Sequence, residues 1–292
     1  MASFSLCGVV VGAFCFVIVK LKCCDIIDLK VGAIMYNNIS LPDFTHSPID
    51  IHSHFNHGSI FDCSGDERHI REFDFFESVY HNANVSQVGI STFASVLEHT
   101  ECIVEENEYL HKLIDKKEWV YQWVVIDPRQ KETYIQAEKM LSHSKVLGIK
   151  IHPDYHGYNI LDYADELFCF ANKHKAVVLM HPQHISKMPS LVDDYPDMKL
   201  IIAHLGSMEH IDAIANARHG NIYTDTSGGA SNLNNIIEYA VKQVGSQKIL
   251  FGTDTYSYAF QFGRIALSTL SFEEKENILW KNATNLFPKA FK

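Results

Sequence analysis

VLGIKIHPDYHGYNILDYADELFCFANKHKAVVLMH, residues 146–181, holds one copy of the pattern that decides the fold. It opens on the apolar run Val146–His152, one of a series of which several are continuous rather than alternating, as in strands buried on both faces. Through Leu161–His174 apolar residues recur at three- and four-residue steps and predict a helix. The chain then returns to an apolar run, Ala176–His181. Strand, helix and strand in that order mean a parallel pair. The same unit repeats on either side. Further runs rich in Val and Ile stand at Ile49–His52, Val88–Phe93, Trp119–Ile126, Leu200–His204, Ile222–Asp225 and Ile249–Gly252, giving eight in all. Glu101–Lys117, Glu132–His143, Met208–His219 and Leu233–Val244 are helix-like spacers. Eight such units predict an α/β fold closed into a (β/α)8 TIM barrel. A doubly wound open sheet is the structural alternative, but no GxGxxG turn follows any strand. The interval from His54 to Gln87 is long for one connection and predicts a loop insertion with one helix.

The 292 residues exceed the roughly 250 that a barrel needs. Residues 48–292 are therefore read as the barrel and 1–47 as an N-terminal hydrophobic extension. Within the extension Phe4–Val19 is uncharged over 16 residues, short of the roughly 20 that span a bilayer. It reads as a buried strand or hairpin, with a weak membrane anchor as the other reading. No basic residue precedes it and no small-residue cleavage site follows, so it makes a poor signal peptide. Seven cysteines without a CxxC spacing argue for free thiols in a reducing compartment, hence a cytoplasmic protein. The net charge of −10 argues against a nucleic-acid partner. A small-molecule substrate is expected. Homo-oligomerisation and N-terminal membrane association stay open.

The 17 histidines point further, because imidazole is the commonest metal ligand. In such a barrel the catalytic groups sit at the C-terminal ends of the strands. Those ends carry His52 and His54, then Lys150 and His152, His181, His204, Asp225 and Asp254. Residues two apart on a strand share a face, so His52 and His54 can reach one ion. With His181 and Asp254 they make a set of three imidazoles and a carboxylate. That set suits Zn²⁺, with Mn²⁺ or Fe²⁺ as other occupants, as one or two ions. Such an ion would lower the pKa of a bound water, and Asp254 could carry its proton to the leaving group. His204 could polarise a carbonyl, stabilise an oxyanion or add a further ligand. Each residue alone has a bland reading: a histidine after an apolar run is more often a core or loop residue, and Asp254 could be a helix cap. The four in consistent phase are what point to a metal.

Lys150 lies inside an apolar strand, where an unpaired charge is costly. It is read as a structural lysine, a carbamylated bridge between two ions, or a group that binds a substrate carboxylate. His152, Tyr155, His156 and His184 follow on the same rim as candidate substrate contacts, as does His57. Asp225 is read as a hydrogen-bond acceptor that supports His204 or orients a loop.

IDIHSHF, GIKIHP, LMHPQH, IIAHLGS, YTDTSG and LFGTDTYS, with ILWKNATNLF closing the chain, together resemble the amidohydrolase superfamily. They are most similar to its amidohydrolase-2 branch, which contains the aminocarboxymuconate-semialdehyde decarboxylase-like enzymes. The resemblance covers roughly residues 48–290. It implies a distorted TIM barrel with one or two divalent ions, His52, His54, His181 and Asp254 as ligands, and His204 as the catalytic histidine. The branch contains hydrolases, hydratases and non-oxidative decarboxylases. GIKIHP departs from many decarboxylase members and resembles hydrolase-like ones.

The expected function is therefore metal-dependent hydrolysis of a small-molecule C–O or C–N bond, in an amide, lactone or ester. The alternative is non-oxidative decarboxylation of an aromatic or unsaturated acid, with Lys150 and Arg264 as cations for the carboxylate. A TatD-like nuclease would share HxH and a late aspartate, but it usually has a mid-barrel glutamate where Lys150 stands. A non-catalytic barrel would be expected to have lost a ligand.

Overall fold

The structure, a computed structural model, describes residues 8–11, 14–17, 41–55, 57, 73–97, 100–255 and 257–291. The chain divides into two compact units, Met1–Leu41 and Pro42–Lys292. In the first, β1 (Gly8–Val11) pairs antiparallel with β2 (Phe14–Val17). These stretches of the Phe4–Val19 run are thus extended. The expected burial of the run concerns side chains outside the described residues. Among the described residues no helix is long and apolar enough to cross a membrane.

The second unit holds eight parallel strands: β3 (Ile49–Phe55), β4 (Gln87–Thr92), β5 (Val120–Val125), β6 (Val146–Ile151), β7 (Val177–Met180), β8 (Lys199–Ile202), β9 (Ile222–Asp225) and β10 (Ile249–Leu250). Their order in the sheet is their order in the chain. The two end strands meet through main-chain bonds. Ile51 N donates to Phe251 O at 3.0 Å, and Thr253 N and Asp254 N both donate to His52 O, at 3.1 and 2.8 Å. This is the expected (β/α)8 barrel, with helices such as Ile103–Ile114, Ala164–Lys173 and Ile236–Val244 between strands. The long interval after β3 contains the helix Phe73–Asn82. Most strands end a residue or two earlier than the apolar pattern suggests. β3 instead runs three residues further, so both His52 and His54 lie on it.

The barrel interior is filled by Ile49, Ile51, Tyr121, Trp123, Leu147, Val177, Leu179, Ile201, Ala203 and Leu250. Phe287 and Phe291 from the C-terminal segment join this cluster, and the Trp123 indole donates to Ile51 O at 2.7 Å. Two irregularities then change which residues face inward. Against β4, Asp50 pairs with Val88 but Ser53 with Ile90, so β3 holds one extra residue. Ile51 packs in the interior, yet His52 and His54 also reach a common partner, while Phe55 packs in the outer layer against Phe76. β6 holds an extra residue at Leu147, opposite Gln122 and Trp123 of β5. Leu147 faces in, Ile149 and Ile151 belong to the outer layer, and Lys150 reaches His52. Such bulges commonly re-aim side chains beside active sites.

Gly148 is part of the second bulge, and a Cβ there would lie 2.1 Å from Val177 O. Gly148→Ala should lower stability by about 1–3 kcal/mol through overpacking. Gly263, on the helix Tyr258–Ala266 with nothing within 4 Å of its would-be Cβ, is the control. Gly263→Ala should leave stability unchanged or raise it by up to about 1 kcal/mol. Thermal unfolding of the two variants beside the parent chain checks both; equal midpoints would refute the bulge argument.

Candidate metal centre and active site

His52 is fully buried and anchored on both sides. Its ring Nδ1 lies 2.8 Å from Asp225 Oδ2 and 2.9 Å from Ser227 Oγ. A carboxylate accepts only, so Nδ1 carries the hydrogen and Nε2 is left as the acceptor. Nε2 faces Lys150 Nζ at 2.9 Å and Asp254 Oδ1 at 3.7 Å. His54 has the same arrangement in weaker form, with Nδ1 3.0 Å from Ser91 Oγ and Nε2 3.3 Å from Asp254 Oδ1. One donor atom from each of His52, His54 and Asp254 lies within 4.8 Å of the others. Two imidazoles with Nδ1 engaged and Nε2 turned to one carboxylate oxygen fit a divalent cation.

His52, His204 and Asp225 also place ligand atoms within 4.8 Å of one another. Here the space is filled. Ser227 Oγ lies 2.9 Å from both His52 Nδ1 and His204 Nδ1 and bonds Asp225 Oδ1. In this structure that group is joined by hydrogen bonds through Ser227.

The structure thus brings three of the four expected ligands together. His181 stands outside their cluster. Its ring stacks on His152 at 3.9 Å, lies 5.2 Å from that of His204, and puts Nδ1 3.3 Å from Asp154 Oδ2. The His204 ring is 5.1 Å from that of His52, so it bridges the two groups. Asp225 bonds the ring of His52, and reaches His204 through the main-chain N–H, which donates to Oδ1 at 3.1 Å. Of the rim residues, Tyr155 packs on His152 with ring centres 4.7 Å apart. His156 turns away and donates from Nε2 to Ser95 O, and His184 is exposed. His57 pairs with Glu106 and stacks on Tyr109. Arg264 is engaged by Glu238.

The backbone at two site residues is held in the left-handed region. His204 has φ of 63° and Asp254 of 59°, which costs a non-glycine residue about 1–2 kcal/mol. The bonds from Asp254 N to His52 O and from His204 N to Asp225 hold these conformations. Asp50, two residues before His52, ties the first strand to the last. Its Oδ1 accepts from His52 N and Thr253 N, and its Oδ2 from Thr253 Oγ1 at 2.6 Å. Asp50 and Ser227 were not singled out from sequence, although both sit inside quoted motifs. Ser91 had no signal, because a lone serine at a strand end has no diagnostic spacing.

Burial is the main electrostatic force here. It pushes Asp50 up to about 8 against the lowering effect of Thr253. It pulls His52 down to about 3 and His181 to about 4, with Lys150 adding to both. It brings Lys150 down to about 8, against the pull of Asp254 and Asp225. Burial would also raise Asp254, but the hydrogen bond from His54 and the neighbouring imidazoles outweigh it and hold the carboxyl well below the usual range. The Asp254 side chain is 36% exposed, so this ionised group meets solvent. A cleft of about 320 Å³, lined by Gly228, Asp254, Phe260 and Gln261 among others, opens onto it.

The family profile described as Amidohydrolase matches residues 49–289. Among solved structures, the fold is similar to dihydroxybenzoic acid decarboxylase from Polaromonas sp. JS666, with bound manganese and the inhibitor 2-nitroresorcinol. The TM-score is 0.67 at 15% identity, over 83% of this chain and 97% of that one. It is also similar to 5-carboxyvanillate decarboxylase from Sphingomonas paucimobilis, with TM-score 0.66 and 12% identity over 83% and 99%. A third is a candidate 2-pyrone-4,6-dicarboxylic acid hydrolase from Pseudomonas putida, with TM-score 0.63 and 14% identity over 85% and 100%. At these identities the likeness is one of fold. No curated protein matches the chain by sequence.

Two outcomes follow for the metal-free and metal-loaded chain. His52, His54, His152, His156, His181 and His210 are all held below the ordinary histidine value, chiefly by burial. The unfolded chain therefore binds more protons than the folded one below about pH 6.5, and stability falls as pH drops from there. Between about pH 5 and pH 7.5 Asp50 is the one shifted group among the described residues that acts in the opposite sense. The thermal midpoint of chelator-treated protein should decline from about pH 7.5 to about pH 5; a flat or rising profile toward acid would contradict the buried-neutral assignment. Separately, Asp225→Ala removes the acceptor for His52 Nδ1–H and should weaken Mn²⁺ or Zn²⁺ binding about 10–100-fold. Competition against a chelating dye reads this directly, and unchanged affinity would remove His52 from the ligand set.

Proposed function

The chain belongs to the amidohydrolase family and is an enzyme, and from that premise we propose that it hydrolyses a C–O or C–N bond in a small molecule that carries a carboxylate. The observation that carries the reading is Asp254: an ionised carboxylate, open to solvent, beside the Nε2 atoms of His52 and His54. A divalent ion held by these three residues supplies Lewis acidity toward an oxygen of water or substrate. Zn²⁺, Mn²⁺ or Fe²⁺ suits two imidazoles and a carboxylate. His181, beside His204, is the remaining ligand candidate.

The protein groups then have separable tasks. Asp254 accepts the proton of the attacking water and passes it to the leaving oxygen or nitrogen. The cleft against Asp254 lies at the lower end of the size range of small-molecule sites. Lys150 is the buried cation of the centre. His52 Nε2 cannot serve both Lys150 and an ion, so a loaded site leaves the lysine needing another acceptor. A substrate carboxylate provides one.

Lys150 also favours a second reading, non-oxidative decarboxylation, because the same cation could hold the carboxylate that leaves. The decarboxylases similar in fold act on carboxylated aromatic compounds, and the candidate hydrolase is named for a dicarboxylic acid.

Protein reconstituted with Zn²⁺ or Mn²⁺ should open carboxylated lactones, amides or esters. Neutral analogues should react more slowly. Asp254→Asn should cost about 10²–10⁴-fold in kcat, as for loss of a general base. Lys150→Met should raise KM for the acids and spare the neutral analogues. Release of CO₂ from hydroxylated aromatic or unsaturated acids, with every lactone, amide and ester inert, would replace hydrolysis with decarboxylation.

A further inference from the structure

Ser227 is fully buried just after β9, and three polar partners surround its hydroxyl. Oγ lies 2.9 Å from His52 Nδ1, 2.9 Å from His204 Nδ1, and bonds Asp225 Oδ1. Counting protons decides who donates. The Asp225 carboxylate only accepts. Its Oδ2 takes the hydrogen of His52 Nδ1. Its Oδ1 takes the main-chain N–H of Ser227 at 2.9 Å and of His204 at 3.1 Å, and also the single hydroxyl proton of Ser227. Ser227 Oγ therefore faces His204 with lone pairs alone. A 2.9 Å contact there is a hydrogen bond only when His204 Nδ1 carries the hydrogen. A neutral imidazole has one N–H, so Nε2 is bare.

The turn is shaped for this contact. Gly228 follows with φ of 71°, and a Cβ there would lie 2.8 Å from His204 Nδ1. The hydroxyl of Ser227 reaches that nitrogen because no side chain at position 228 does.

We propose that Ser227 is a positioning residue that holds neutral His204 as its Nδ1–H tautomer, so that Nε2 enters the site as a hydrogen-bond acceptor and proton base. Oxyanion stabilisation by the neutral ring would need Nε2–H, which this network withholds. Asp254 takes the proton of the attacking water; when Nε2 of His204 takes a proton from a substrate hydroxyl, that O–H bond breaks and an N–H bond forms, giving an imidazolium. Nδ1–H keeps donating to Ser227 Oγ, and the serine O–H keeps donating to Asp225 Oδ1. The carboxylate thus stabilises the new charge through the hydroxyl without itself being protonated. What the base acts on rests on the hydrolytic reading; the tautomer does not.

The test is long-range ¹H–¹⁵N correlation spectroscopy of the histidine rings in the full-length, metal-free chain. It is run at about pH 8, above the ordinary imidazole range. His204→Gln assigns the signals. A protonated Nδ1 and a bare Nε2 on His204 are expected, with that preference lost in Ser227→Ala. A protonated Nε2 in the parent chain overturns the proposal, as does an unchanged tautomer in Ser227→Ala. If that variant does not fold, the parent spectrum still decides. A failed hydrolysis screen leaves the spectrum untouched, so the two readings fail separately.

Discussion

The carbonyl of His52 accepts from Thr253 N and Asp254 N, and much of the centre depends on that pair of bonds. They join the first strand of the barrel to the chain just past the last. They also fix Asp254 in a left-handed conformation, which places its carboxylate beside the two imidazoles of the first strand. Asp50 reinforces the same junction from the other side of the strand through His52 N and Thr253. Fold closure and ligand assembly are therefore one event here. The barrel cannot open at this seam without parting the aspartate from the histidines.

The barrel was largely legible because its cause is local. Continuous apolar runs such as Leu200–His204 can be buried on both faces only in a parallel sheet covered by helices. Helical periodicity between the runs then leaves few topologies. The two bulges were not legible. A strand read at period two puts Ile51 and His52 on opposite faces, yet Ile51 fills the interior while His52 reaches Asp254 and Lys150. The extra residue that reconciles them is set by pairing against a neighbouring strand. No single-strand pattern records that pairing. Gly148 was a visible clue in the second bulge, but a glycine in a strand has several explanations.

The site divides in the same way. His52, His54, His204 and Asp254 could be picked out because strand ends in a barrel converge on one mouth. Which side chains face a common point could not, since that depends on ring orientation: His52 and His54 turn Nε2 to Asp254, while His181 packs on His152 and lies near Asp154. Asp225 was visible, but its partner was not: the ring it holds is that of His52. Ser227 shows a sharper limit. Nothing in the letters TDTSGG distinguishes a serine that sets a tautomer from one that caps a turn. The distinction comes from three distances and a count of protons.

In the proposed function Lys150 would link the metal centre to the choice of substrate. With His52 Nδ1–H committed to Asp225, the only ring nitrogen that can accept from Lys150 is Nε2, the atom that faces Asp254 and the proposed ion. A buried ammonium without an acceptor is costly, so its partner must be replaced when the ion takes that nitrogen. Asp254 can draw on the lysine electrostatically, but it is already paired with His54 and is itself a proposed ligand of the ion. A substrate that brings its own negative charge resolves the conflict, and a neutral one does not. On this argument the proposed preference for acids would come from the first strand as much as from the loops, because it follows from how many partners one histidine can satisfy.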